Sequence, residues 1–310
     1  GGLFKRARSV ILSSYLEGKN TRFAWRAQAT AKRSGHPKNS RLFLQNTGVE
    51  ELNGSLSIGF KFKNTNFDIF YSHFYSKIGI LSQSHIGNLT DLRNAFERRD
   101  PLSIGAFSYT INRPAQRVNH DMAKIKVTTP TGEAGMLTTT AFFQQNLREE
   151  FDAHRPFGRP PVGFDRSDIA FQLFTLGLKS EWTHKNWQNW HGGGGVEGLF
   201  QANNTFAGAL IPDFRQTTIG GFWTERWRRF PSPIELEAGV RYDFRYLTTD
   251  SVRFLDKNRD FSFGNVSATI GAIYHLSKMS KLALNVGSAW RNPNVNELLS
   301  LGCSSRRGEF

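Results

Sequence analysis

The chain has 310 residues, of which 38% are apolar and 13% aromatic, with 27 phenylalanines and 29 glycines. Disordered chains lack aromatic residues, so this composition excludes disorder, and no stretch reaches the roughly 18 apolar residues of a membrane-spanning helix. The net charge of +14 is compatible with an anionic partner such as nucleic acid or an anionic surface, but the charges are spread along the chain rather than clustered.

Cys303 is the single cysteine, so the chain can form neither an intrachain disulfide nor a cysteine-based metal site. Near the N-terminus, Lys5, Arg6 and Arg8 precede only three apolar residues, whereas the apolar core of a secretory signal has at least about seven. The sequence therefore contains no recognisable signal peptide. Either the protein stays in the cytoplasm or its chain starts further upstream.

Alternation of apolar and polar residues predicts twelve β-strands along the chain. In chain order they cover about 9–17, 21–33, 54–63, 67–79, 117–128, 135–150, 169–183, 188–203, 214–227, 234–247, 261–276 and 281–291. The tenth is the clearest: its even positions from Ile234 to Tyr246 are all apolar, and its odd positions are charged apart from Gly239. One face of such a strand meets an apolar environment and the other meets water, as in a soluble sandwich or in a membrane barrel.

For this tenth strand the barrel interpretation makes a definite prediction. The apolar side chains should face outward, towards lipid: Leu236, Val240, Tyr242 and Phe244. The charged side chains should face inward: Arg241, Asp243 and Arg245. The opposite placement is not tolerable near the bilayer centre, where an outward arginine costs about 2–4 kcal/mol.

The predicted connections alternate between short and long. Long ones cover about 34–53, 80–116, 151–168, 204–213 and 248–260. This alternation is typical of outer-membrane barrels, which have tight periplasmic turns and large extracellular loops, whereas a sandwich with Greek-key crossings has no reason to keep it. Most strands exceed nine residues, enough to cross a bilayer. Tryptophans lie near strand ends, as interfacial aromatics do: Trp182, Trp187, Trp190, Trp223, Trp227 and Trp290.

The predicted fold is therefore all-β: a transmembrane antiparallel up-and-down β-barrel, of which the chain supplies about twelve strands. If the short turns are periplasmic, both ends of this segment lie outside the cell, whereas bacterial barrels keep both termini in the periplasm. We therefore expect residues 1–310 to be one barrel segment, truncated at both ends.

Several motifs resemble one known family. Trp290 to Gly302 reads W-R-N-P-N-V-N-E-L-L-S-L-G, similar to a barrel signature of TonB-dependent outer-membrane receptors, with Leu299 where the family has an aromatic residue. The segments from Ser84 to Leu92, Phe107 to Asp121 and Gln144 to Arg155 resemble stretches of such receptors from Bacteroidetes-type bacteria. The residues after Gly302 depart from the pattern.

The resemblance implies a bacterial outer-membrane receptor with a barrel of about 22 strands closed by an N-terminal plug. It implies uptake of a scarce ligand, such as an iron–siderophore, haem or cobalamin. The TonB energy-coupling complex would drive this uptake through the plug. Neither the plug nor its energy-coupling box occurs within residues 1–310.

Ligand contact is expected on the long loops, because a rigid scaffold positions loops and leaves them free to vary. Clustered arginines could hold the carboxylates or catecholates of a small-molecule chelate through paired hydrogen bonds. The candidates are His85, Arg93, Arg98, Arg99, His154, Arg155 and Arg159, with Arg113 and Arg166 on the same loops. Lipopolysaccharide phosphates or water are alternative partners for these side chains.

The sequence carries no recognisable enzyme motif, and neither a metal site nor a cofactor is expected. The run from His191 to Gly195 lacks the ending of a phosphate loop and is interpreted as a place where the barrel wall is thin or can curve. His184 and His191 lie across a predicted turn, without the spacing of a metal-binding pair. Glutamates next to Arg148 are expected to form a charge-balanced loop root, and Glu297 an ion pair with a basic neighbour.

Three functions remain open at this point. The first is a ligand-gated transporter of the TonB-dependent type, which the motifs favour. The second is a passive barrel or adhesin without energy coupling. The third is a soluble basic β-protein that binds nucleic acid or polysaccharide; with its charges dispersed, no nucleic-acid partner is expected.

Overall fold

The computed structural model describes residues 8–81, 89–97, 105–152, 166–208, 212–250 and 258–299. These residues form one sheet of twelve strands, in which each strand runs antiparallel to its sequence neighbours. In chain order the strands are β1 (Ser9–Lys19), β2 (Phe23–Ser34), β3 (Val49–Phe62), β4 (Thr65–Gly79), β5 (Ala115–Pro130), β6 (Gly135–Phe151), β7 (Ile169–His184), β8 (Trp190–Ala207), β9 (Phe214–Arg228), β10 (Ile234–Thr249), β11 (Arg259–His275) and β12 (Lys281–Gly287).

Helices make up only a small part of the described residues. They are α1 (Leu89–Glu97), α2 (Val295–Leu299) and a 3-10 turn (Gly132–Ala134). None of the helices in the described ranges is long and apolar enough to cross a membrane. Neither α-helix was predicted, because α1 lies inside a segment expected to be a loop and α2 follows the last predicted strand.

The twelve predicted strands are confirmed, and the largest differences at their ends are in β3, in β12 and in β8, which ends at Ala207 rather than near residue 203. β3 begins at Val49 rather than near residue 54, because Glu50 interrupts the apolar alternation although the ladder continues, with Arg33 of β2 opposite. β12 ends at Gly287 rather than near residue 291. There the amide of Ala268 donates to the hydroxyl of Ser288 instead of a backbone carbonyl, so the ladder stops.

The alternation of short and long connections is confirmed for most of the chain, and the exception is 208–213, which has six residues where the short connections have up to five. Short ones cover 20–22, 63–64, 131–134, 185–189, 229–233 and 276–280, and long ones cover 35–48, 80–114, 152–168, 208–213 and 250–258. Short turns use side-chain bonds to turn the chain: the carboxamide of Asn20 accepts the amides of Arg22 and Phe23 at 2.9 and 2.8 Å. We call the two ends of the sheet the turn end and the loop end.

The sheet has two chemically different faces. In β10, Leu236, Val240 and Tyr242 are exposed by 45%, 50% and 51%. Arg241 and Asp243 lie half-buried on the other side. The predicted division of this strand is therefore confirmed. We call the first side the apolar face and the second the polar face.

Buried apolar residues are few and lie outside the middle of the strands. Those in the described ranges are Ile111, Ala115, Phe151, Ala170, Leu247 and Val295. Large apolar side chains are instead exposed along the whole sheet, from Val10 in β1 to Val286 in β12. A water-soluble protein rarely exposes so extensive an apolar surface, so the apolar face requires a non-aqueous environment.

Within the described residues, β1 and β12 each pair with a strand on one side only. Their other edges carry rows of backbone N–H and C=O groups that need partners. In hydrocarbon each unsatisfied group costs several kcal/mol, so spanning sheets close into barrels.

Candidate functional site: the polar face and the loop end

The apolar face forms a band that starts at the turn end. In β11, Tyr274, Ala272, Ile270, Ala268 and Val266 follow one another on this face, and their partners in β10 are also apolar. Counted from the turn end, Val266 is the tenth residue of the strand. Nine to eleven residues of a tilted strand cross the hydrocarbon of a bilayer. The band therefore has the height of a membrane.

Glycines in β8 bring tryptophans from two other strands together near the turn end. The rings of Trp182 in β7 and Trp223 in β9 lie 6.0 Å apart, although β8 separates their strands. A Cβ on Gly194 of β8 would lie 2.3 Å from the Trp223 ring. The glycine run thus leaves a trough that the rings fill, and the predicted thinning or curvature of the wall there stays a prediction.

The same trough contains a polar pair. Trp223 Nε1 donates to Glu225 Oε1 at 3.0 Å, and His184 Nε2 lies 3.1 Å from the same oxygen. His184 is thus bonded to a carboxylate rather than to His191. The described residues contain no group of three His, Cys, Asp or Glu side chains that could hold a metal ion. An amphipathic aromatic cluster at this height is typical of a membrane–water interface.

On the polar face, charges are paired across strands. Arg241 donates to Asp243 at 2.7 and 2.6 Å and also to Glu197 of β8. Lys179 and Arg241 both lie over the ring of Phe222, at 5.3 and 5.9 Å from its centre. Lys179, Phe222 and Arg241 border a concave region of about 630 Å³. Charges in this number require water, so the polar face is suited to line an aqueous interior.

Nearer the loop end, the polar face of β6 to β9 carries a row of neutral side chains. Gln144, Thr175, Gln201 and Gln216 lie directly opposite one another in β6 to β9. Gln201 donates to Thr175 Oγ1 at 3.1 Å, and Gln216 donates to Gln201 Oε1. This amide row offers neutral donors and acceptors just below the long connections.

Asn46 ties two long connections together at the loop end. Its carboxamide donates to the carbonyls of Ile80 and Pro114 at 2.9 and 2.7 Å and accepts the amide of Asn112 at 2.6 Å. Its own amide donates to His36 Nε2 at 3.1 Å. Asn46 has a positive φ of 60° and is buried, so the connections 35–48 and 80–114 share a rigid base.

A second buried contact links two further connections. Arg113, one of the loop arginines, donates to Asp168 Oδ2 at 2.7 Å. The same oxygen accepts the amide of Asp152 at 2.7 Å. The Arg113 guanidinium lies 5.2 Å from the centre of the Phe151 ring. Arg113 therefore supports the loop roots of 80–114 and 152–168 instead of extending to a ligand.

The charge-balanced loop root that was predicted for the glutamates next to Arg148, at the end of β6, is confirmed. Arg117 donates to both carboxylate oxygens of Glu149 at 2.6 and 2.8 Å. Arg148 donates to Glu150 at 2.8 Å. These glutamates are held by arginines in adjacent positions and do not form a pair of free carboxylates.

Of the predicted ligand contacts, Arg93 lies exposed on α1. The other six lie outside the described residues: His85, Arg98, Arg99, His154, Arg155 and Arg159. Whether these side chains come together stays a prediction.

The segment after β12 forms a compact corner. Arg291 donates to both oxygens of Glu297 at 2.9 and 2.8 Å, as predicted for this ion pair. Glu297 also accepts the amide of Asn294 at 2.7 Å, which caps the start of α2. The guanidinium of Arg291 and this amide lower the pKa of Glu297 from its ordinary value to about 2.

Solved structures share this fold at low sequence identity. The ferric-catecholate import receptor Fiu of E. coli K12 matches with a TM-score of 0.66 and 11% identity, over 92% of this chain and 54% of that one. The FrpB iron transporter of Neisseria meningitidis matches with a TM-score of 0.69 and 13% identity, over 93% and 45%. A double mutant of the Serratia marcescens hemophore receptor HasR, with its hemophore HasA and heme, gives 0.66 and 12%, over 92% and 43%.

These structures are TonB-dependent receptors, so the chain has the fold of a TonB-receptor barrel wall. It spans about half the length of the structures that it matches, at 54%, 45% and 43%. Comparisons with protein-family models and with curated proteins found no match.

Sequence reasoning missed two features of this region. The contact between Trp182 and Trp223 depends on strand register, although the adjacent glycine run was a usable signal. The Asn46 cluster joins residues 34 to 68 positions apart in sequence, and no local pattern marks it.

Proposed function

We propose that the chain forms part of the wall of a bacterial outer-membrane receptor that takes up a scarce small-molecule ligand. The observation that carries this proposal is the exposed apolar face, of membrane height, behind a charged and paired polar face. The receptor fold supports it as well. The matched proteins are described as receptors or transporters for ferric catecholate, for iron and for a heme-carrying protein. An iron–siderophore, haem or cobalamin is the class of ligand proposed here.

In this proposal, uptake is energised by TonB through a plug domain that fills the barrel. The polar face would line the interior next to the plug. The open edges of β1 and β12 support the further proposal that more strands complete the barrel, since the chain spans 54% of the Fiu receptor. The Bacteroidetes-type origin of the motifs stays a prediction.

Ligand contact is proposed for the extracellular loops, through Arg93 and the six other predicted residues. Exposure of Arg93 on α1 is compatible with this role. Nucleic acid is not proposed as a partner, because the charges of the polar face are paired with one another, as in the cluster around Arg241.

Uptake measurements test the proposal. Cells that produce the protein should accumulate radiolabelled ferric siderophore, haem or cobalamin above the level of cells that lack it. Deletion of TonB should abolish the difference, because transport against a gradient needs the energy-coupling complex. Equal uptake with and without TonB would instead indicate a passive barrel.

The passive-barrel alternative would need the twelve strands to close into a barrel by themselves, and this closure has its own test. After refolding in detergent, the isolated chain should not give a compact band that shifts on heating, because its edges remain open. A heat-shifted, protease-resistant band would mean that β1 and β12 meet, and would favour the passive barrel.

A further inference from the structure

The apolar face carries a row of charged residues near the loop end. Each residue lies directly opposite the next one in the ladder from β2 to β6. The five members, named here the charged row, are Arg33, Glu50, Lys77, Arg117 and Glu149. Counted from the turn end of each strand, they are the eleventh to fifteenth residues. They therefore lie at or beyond the nine to eleven residues that cross hydrocarbon.

The bases of the charged row are presented outward, and the acids lie beneath them. The Arg33 side chain is 62% exposed, against 35% for Glu50, and Arg117 is 31% exposed, against 16% for Glu149. Arg33 Nε lies 3.5 Å from Glu50, and Arg117 makes two hydrogen bonds to Glu149. Each carboxylate thus fixes a guanidinium group that covers it. The exposed surface of the charged row is therefore basic.

Two aromatic rings hold arginine side chains at this place: Arg33, which belongs to the row, and Arg8, which lies beside it. The Arg33 guanidinium lies 5.3 Å from the centre of the Tyr109 ring, and Arg8 lies 4.7 Å from that of Phe107. The two rings contact each other edge to face at 4.9 Å. A guanidinium group held over an aromatic ring is preorganised, and its planar set of N–H donors can bind a phosphate oxygen.

Strands β7 to β10 lack an equivalent row. On the same face, the thirteenth to fifteenth residues of β7 to β10 are Gln172, Asn204, Arg215 and Thr248. Only Arg215 among them is charged. The basic surface is thus confined to one side of the described sheet.

We propose that the charged row, together with Arg8, binds the phosphate groups of outer-leaflet lipid A and fixes the depth of this side of the protein in the membrane. The inference rests on the proposed membrane location, since a soluble protein would present this surface to water. Lipid A carries phosphates on a sugar at the height where the apolar band ends. A lipid with neutral headgroups would offer no anionic group to these basic side chains.

Lipid retention in nanodiscs tests the proposal. The full protein is reconstituted in phosphatidylcholine nanodiscs with either lipid A or its dephosphorylated analogue, and bound glycolipid is counted by native mass spectrometry. The wild type should retain lipid A in preference to the analogue. Arg33→Gln should lower retention about fivefold, since one base near a charged membrane surface contributes about that factor. The paired change Arg117→Gln with Glu149→Gln removes a base without leaving a buried carboxylate and should also lower it.

Arg215→Gln is the matched control, because it removes a base at the same height outside the row, and it should leave retention unchanged. Equal retention of lipid A and its analogue by an inserted wild type would overturn this inference alone. Equal losses from Arg33→Gln and Arg215→Gln would also overturn it, because binding would then not be localised. A protein that does not enter nanodiscs at all would overturn the membrane location and this inference together.

Discussion

At the scale of single residues, the loop end depends on a few buried polar side chains. Asn46 is the clearest, because three hydrogen bonds from one carboxamide join two connections that are remote in sequence. A buried donor or acceptor that loses its hydrogen-bond partner lowers the free energy of unfolding. The connections 35–48 and 80–114 therefore depend on a base that a single substitution can destabilise.

Replacement of Asn46 by alanine should lower the free energy of unfolding by about 3 kcal/mol, from lost hydrogen bonds and an unfavourable positive φ. Urea unfolding in detergent measures this change. Asn39→Ala is the matched control on the same connection: Asn39 accepts two amides, but both bonds are exposed, so a loss below about 1 kcal/mol is expected. Equal effects of the two changes would contradict the anchoring role of Asn46.

Glu297 should titrate with a pKa of about 2, well below its ordinary value of 4.5. Because the folded-state pKa is depressed, the contribution of the Arg291–Glu297 pair is fully present above about pH 4.5 and is lost as the pH falls through about 2. Carbon-13 NMR of the carboxyl group measures this pKa. Arg291→Gln should move it back towards 4.5, and an unchanged value would show that Arg291 is not the cause.

At the scale of elements, neighbouring strands are fitted to one another by residue size as well as by polarity. Gly194→Ala places a Cβ 2.3 Å from the Trp223 ring, so the ring must move away from Trp182. Overpacking of this kind costs about 1–3 kcal/mol. The near-ultraviolet circular dichroism of the tryptophan pair should weaken.

Gly198→Ala is the matched control for this change. It lies on the same face of β8, and a Cβ there meets nothing within 4 Å. Its spectrum and stability should remain those of the wild type. A spectrum of Gly194→Ala that is indistinguishable from that of Gly198→Ala would rule out the ring contact across β8.

Adjacent residues of β11 allow a comparison of the two faces. Ala268 lies opposite Val240 on the apolar face, and Thr269 lies opposite Gly239 on the polar face. Ala268→Arg should lower stability by about 1–2 kcal/mol in a bilayer, because the charge enters hydrocarbon between the midplane and the interface, whereas Thr269→Arg should cost less than about 1 kcal/mol. Unfolding in lipid vesicles measures both. Equal costs would mean that the faces do not differ in environment.

At the scale of the whole molecule, the sheet was predictable because alternation with a period of two and loop lengths are local properties of the sequence. The start of β3 was predicted too late, which shows the limit of local patterns. Glu50 has the character of a loop residue in the sequence, and only its pairing with Arg33 places it in the strand. The Arg291–Glu297 pair was predictable from a motif with close spacing. The Asn46 base and the charged row were not, because they depend on register across several strands.

The central claim is that the apolar face contacts lipid while the polar face contacts water. Single spin labels placed at each position from Leu236 to Tyr246 of β10, in protein reconstituted in lipid vesicles, test it most directly. Accessibility to oxygen, which dissolves in lipid, should peak at even positions, and accessibility to a water-soluble nickel chelate should peak at odd positions. High nickel accessibility at Val240 and Tyr242, or a protein that stays monodisperse without detergent, would contradict the membrane-barrel assignment.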